Sequence, residues 1–169
     1  MKLGTGAVGC LAAIAAADVV LHRKRVPWLA IGIFDHPAHL ATAGLVALHG
    51  TREPEWIEGL LVGSLLPDLD HVPLALRRRR PKRGDARPVT HCLLAIAPVA
   101  AAARTTGDER LRGVAAGMLA HFARDLAVGS GVPLLWPGTK RSFKVHYALY
   151  WTTCAVLAFA AAYSRSRPW

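Results

Sequence analysis

Apolar positions along this chain come in runs, not in alternation. Stretches of Ala, Leu, Val and Ile are separated by short segments of Arg, Gly, Pro or acid. Runs of this length fit helices rather than half-buried strands, and six are predicted. They are Leu3–Leu21, Trp28–His49, Trp56–Leu76, Val89–Ala103, Leu111–Val128 and His146–Tyr163. Between them lie the polar turns around Thr51–Glu55 and Thr105–Arg110, the basic segment Arg77–Gly84, and the loop Gly129–Lys144 with its Pro133-Leu134-Leu135-Trp136-Pro137. Apolar residues make up 53% of the 169 residues, which is high for a water-soluble domain. The fold class expected is all-α, a polytopic membrane bundle of five to six spans forming one membrane-embedded domain over 1–169.

Ala15-Ala16-Ala17 would suit a leader cut in the first run, but Lys2 alone is a weak n-region. A retained helix is therefore the expectation. Trp28, Trp56, Trp136 and Trp151 suit anchoring at the membrane interface and packing. Cys10, Cys92 and Cys154 lack CxxC spacing and lie in apolar runs, so free thiols are expected.

A formal net charge of +10 raises nucleic-acid binding. The basic residues, however, cluster between apolar runs, and the Arg run has no interleaved aromatics, so no nucleic-acid partner is expected. Anionic lipid headgroups account for them better. With alternating spans, the segments 22–27, 77–88 and 129–145 fall on one side and hold 13 of the 21 Lys and Arg residues. That side is cytoplasmic by the positive-inside rule.

Against this background, polar groups inside the runs stand out. An acid at mid-bilayer costs about 2.5–3.5 kcal/mol and is a functional signal. Asp35 and His39 are four apart, as are His121 and Asp125; Asp68 and His71 are three apart and follow Pro67, with His91 at the start of the fourth run. These spacings put each pair on one helix face. Counting from the cytoplasmic ends at 1.5 Å per residue, all four groups lie within roughly 20 Å of that side. Any one has an ordinary reading: His91 as an interhelical hydrogen bonder, His121 and Asp125 as a simple pair, Asp68 or Asp70 as a helix cap. Together they make the donor set of a divalent ion, zinc ahead of manganese or iron, with donors enough for one or two ions. His36 stands beside the set as a further donor.

Four segments then carry a family resemblance. Leu66-Pro67-Asp68-Leu69-Asp70-His71, Thr90-His91-Cys92-Leu93-Leu94, His121-Phe122-Ala123-Arg124-Asp125 and Gly131-Val132-Pro133-Leu134-Leu135-Trp136-Pro137 resemble the bacterial membrane-bound metal-dependent hydrolases. These are inner-membrane proteins, some under SOS control, with a distant likeness to zinc-dependent phospholipase C. The resemblance covers roughly residues 34–137. It implies metal-dependent hydrolysis, with ligands at Asp68, Asp70, His71, His91, His121 and Asp125, and with His39 matching an earlier family histidine. In one place the chain departs: Ala86-Arg87-Pro88 stands where the family often has His-Arg-Gly, which either leaves a second metal short of full occupancy or hands that role to Asp35 or His36.

The expectation is a hydrolase of the inner membrane, multi-pass, with its metal site toward the cytoplasm. The substrate would be small or lipidic, a phosphoester or ester such as a phospholipid. Asp70 or Asp35, whichever is not a ligand, would be the general base, and Arg124 with the Arg77–Arg83 segment would hold an anionic substrate. A divalent-metal transporter or a metal-clamped structural protein are the alternatives.

Overall fold

A computed structural model describes residues 3–23, 26–76 and 90–166. Arg77–Arg83 and Ala86–Pro88 lie outside the described residues, as does the side chain of Trp28. The described chain is all helical: α1 (Thr5–Arg23), α2 (Trp28–Ala47), α3 (Pro54–Gly63), a 3-10 helix (Leu66–His71), α4 (Val72–Leu76), α5 (Leu93–Thr106), α6 (Glu109–Ala127) and α7 (Tyr147–Ser166). Among the described residues, the extended contact is an isolated bridge between Val132 and Phe143.

Helix ends follow local chemistry. Asp108 caps α6, its carboxylate accepting from the Arg110 and Leu111 amides, the usual service of an acidic N-cap. Gly107, with φ +71°, closes α5. Pro54 opens α3, where its missing N–H removes nothing the helix needs.

The third expected span, Trp56–Leu76, is not one helix. It breaks after Gly63 into a turn, the 3-10 helix and the five-residue α4. The cause is in the sequence: Pro67 has no N–H to continue an α-helical ladder, and the Ser64 hydroxyl turns back to donate to the Leu61 carbonyl. Ten residues of α3 reach only about 15 Å, half a hydrocarbon core.

Among the described residues, one helix, Thr5–His22, is both long and apolar enough to cross a membrane by length and composition. α2 and α7 have 20 residues each, sufficient in length, but Asp35, His36, Pro37 and His39 interrupt the apolar character of α2.

Two packings hold the site. α1, α2 and α7 share a core of small residues with a few large ones, among them Ile14, Ala38, Leu45, Tyr150 and Ala158. α3 and α6 meet backbone to backbone. A Cβ placed on Gly59, Gly63, Gly113 or Gly117 would lie 2.1 Å from a carbonyl oxygen of the facing helix. Glycine at four-residue spacing on both partners is what allows so close an approach. Cys10, Cys92 and Cys154 form no disulfide among the described residues.

Candidate metal centre

Four segments deliver the donors. α2 carries Asp35, His36 and His39; the 3-10 helix carries Asp68, Asp70 and His71; Thr90 and His91 lead into α5; α6 carries His121, Arg124 and Asp125. The 3-10 geometry matters, because residues three apart eclipse at three per turn. Asp68 and His71 therefore share a face, with His71 Nδ1 3.5 Å from Asp68 Oδ1, and Asp70, next to His71 in the chain, reaches the same nitrogen at 2.9 Å. The segment at His91 is fixed by the Leu93 amide donating to the Leu134 carbonyl at 3.0 Å, which draws on the 131–137 loop.

The donors converge. His91 Nε2 and His121 Nε2 are 3.3 Å apart. Asp125 Oδ2 is 3.4 Å from the first and 3.1 Å from the second, and Asp68 Oδ1 is 3.6 and 3.7 Å from them. Four donors at 2.0–2.2 Å around a tetrahedral ion stand about 3.3–3.6 Å apart. The observed edges are of that size.

The opposite oxygens of the same two carboxylates face another histidine. His39 Nε2 lies 3.8 Å from Asp125 Oδ1, 4.0 Å from Asp68 Oδ2 and 3.7 Å from Asp35 Oδ2. His36 Nε2 is 3.3 Å from Asp68 Oδ2. Asp68 and Asp125 thus stand between two donor groups, one oxygen toward each. His39, His91 and His121 are fully buried and Asp125 is 2% exposed.

Ring orientation is set from behind. His121 Nδ1 is 2.8 Å from the Ser64 carbonyl oxygen. A carbonyl only accepts, so Nδ1 carries the proton and Nε2 turns a lone pair to the cluster. His91 Nδ1 is 3.4 Å from Asp70 Oδ2, the carboxylate–histidine arrangement that aims the other nitrogen at a metal, and the Thr90 hydroxyl donates to that same oxygen. The His39 and His121 rings stack, with centroids 3.8 Å apart.

The donor set fits a divalent ion. Both ring nitrogens of His39 are buried without a hydrogen-bond partner, an expensive state for a polar group unless a cation takes the lone pair. Among the described residues, four groups of three donors, each group within 4.8 Å, suit metal binding: His39, Asp68 and His121; Asp68, His71 and His91; His91, His121 and Asp125; Asp35, His39 and Asp125.

Six of the seven residues expected as ligands, His39, Asp68, His71, His91, His121 and Asp125, appear in those groups. The seventh, Asp70, appears in none; it contacts His71 Nδ1 at 2.9 Å as well as His91 and Thr90. Asp35, expected either as a base or in a second-metal role, stands in one of the donor groups. Arg124, expected to hold substrate, is fully buried. Its Nε and Nη2 donate to Asp35 Oδ1 at 2.9 and 2.7 Å, and Nη2 donates to Asp18 Oδ1 at 2.9 Å. Asp18 is a site neighbour that the sequence marks only weakly, as an acid three residues before the end of an apolar run.

A family comparison adds an inner-membrane description. The model of the YdjM inner membrane protein family matches residues 6–169. No curated protein and no solved structure matches the chain. The chain belongs to the YdjM inner membrane protein family.

Proposed function

We propose that this member of the YdjM family is a metal-dependent hydrolase of the inner membrane, acting on a phosphoester or ester. The observation that carries the reading is the pair Asp68 and Asp125, each aiming its two oxygens at different histidine sets, the arrangement that suits a two-ion centre. Formal charge points the same way. Asp35, Asp68, Asp70 and Asp125 lie in or beside the histidine cluster and Asp18 behind it, while the one guanidinium present, Arg124, bonds two of the five, Asp18 and Asp35; two divalent ions would carry the missing positive charge.

His91, His121, Asp68 and Asp125 would hold one ion, zinc by its preference for such a set, with manganese or iron as other occupants. His39, Asp35 and the outer oxygens of Asp68 and Asp125 would hold the second. An ion bound there supplies Lewis acidity and lowers the pKa of water toward neutrality. Asp70, left out of the donor groups, would accept the proton of the attacking water, and its Oδ2 orients His91 through Nδ1. Arg124 holds Asp35. His36 and His71 are the most open of the site side chains, 46% and 34% exposed, and so mark the entrance.

That entrance is apolar. Ile33, one turn before His36, is 70% exposed, and Leu69, between the two 3-10 carboxylates, is 59% exposed. A lipidic substrate with a phosphoryl or acyl ester at its head suits this rim. The chain would cross the membrane several times with the centre on the cytoplasmic side, as the distribution of Lys and Arg argues.

Detergent-purified protein should contain one or two equivalents of zinc or manganese and cleave a phospholipid or a chromogenic phosphodiester. Activity surviving in a His121→Ala/Asp68→Ala double variant refutes the reading. Metal uptake into proteoliposomes without turnover would support a transporter instead.

A further inference from the structure

Asp18 lies on α1, outside the donor cluster, yet it is 5% exposed and both its oxygens are engaged. Oδ1 accepts from Arg124 Nη2 at 2.9 Å, and Oδ2 accepts from the Tyr147 hydroxyl at 2.5 Å. Tyr147 in turn accepts from the Trp151 indole N–H. The same Arg124 nitrogen that meets Asp18 also meets Asp35 Oδ1, at 2.7 Å. A planar guanidinium presents its N–H groups in a fixed fork, so fastening one edge decides where the rest can point. With Oδ1 of Asp35 taken up by Arg124, Oδ2 is the oxygen left facing His39, 3.7 Å away.

We propose that Asp18, through Arg124, is a positioning residue for Asp35 in the His39 half of the metal centre, and that α1 is thereby part of the centre and not only an anchor. The inference rests on the metal-centre reading above. α1, α2, α6 and α7 each contribute one member to this chain of contacts: Asp18, Asp35, Arg124 and Tyr147. Removing Asp18 frees Arg124 to swing, and the Asp35 carboxylate then loses its single-oxygen presentation. Outer partners of this kind typically change metal affinity by about 10–100-fold.

The test is a Co2+ titration of full-length protein in detergent, followed by the ion's visible absorption. Wild type, Asp18→Ala, Asp18→Glu and Asp35→Ala are compared. Asp18→Ala should weaken, by about 10–100-fold, the same equivalent that Asp35→Ala removes. The equivalent held by His91 and His121 should be unchanged, and Asp18→Glu should recover part of the loss. Arg124 stripped of one carboxylate can destabilise the fold, so an Asp18→Ala/Arg124→Met variant, which leaves no buried unpaired guanidinium, is titrated alongside and should show the same weakened equivalent. Wild-type affinity and spectrum in both Asp18→Ala and Asp18→Ala/Arg124→Met overturn the proposal while leaving the metal centre standing. A wild-type protein that takes up no Co2+ overturns both.

Discussion

His39 shows what each residue of the cluster contributes. Its ring is sealed from water, its nitrogens have no hydrogen-bond partner, and three carboxylates face it. Asp35 and His39 were legible as a pair from spacing alone, as were His121 and Asp125, because a four-residue interval fixes a shared face whatever the tertiary structure. The contacts of Asp70 with His91 and of Arg124 with Asp18 were not legible, since both join residues distant in sequence. Two outcomes separate the roles. Asp70→Asn should keep its metal, measured by elemental analysis, while turnover falls by about 10²–10⁴-fold, the usual worth of a proton-transfer group. His39→Ala should lose one equivalent of metal in the same assay, whereas His22→Ala, whose ring contacts its own helix at the Asp18 carbonyl, should lose none.

At the scale of the element, α3 and α6 are the informative pair. The spacings Gly59-x-x-x-Gly63 and Gly113-x-x-x-Gly117 are visible in the sequence, but their meaning appears only when the two are set against each other. Gly117→Ala puts a methyl group 2.1 Å from the Leu60 carbonyl oxygen and should destabilise by about 1–3 kcal/mol, as overpacking does. Gly9→Ala in α1, where a Cβ meets nothing within 4 Å, should be neutral or stabilise by up to about 1 kcal/mol through helix propensity. Thermal unfolding in detergent distinguishes them. The broken third run was the main misreading of an element. Hydropathy registered Trp56–Leu76 as continuous, while Pro67 and the Ser64 hydroxyl ended the helix early; that break is also what brings Asp68 and His71 into line on a tighter turn.

For the whole molecule, the order of elements was readable from the apolar runs, and five of six expected helices fall close to where they were placed. Their meeting at one place followed from a guess about depth, which periodicity alone does not supply. If two ions neutralise the cluster, chelation should lower the melting temperature, since an ion at 100 times its Kd contributes about 2.7 kcal/mol, and adding zinc should restore it. The direct contact of the α3 and α6 backbones bears on how such a protein can vary. α6 brings His121 and Asp125, and the end of α3 brings both the Ser64 carbonyl that grips His121 and, four residues on, Asp68. A slip of one turn, about 5.4 Å, between these two rods would carry the halves of the ion cage past each other. The donor geometry is therefore gauged by a seam whose closest contacts are glycine against backbone, and substitutions elsewhere on the exposed surface can accumulate without moving it.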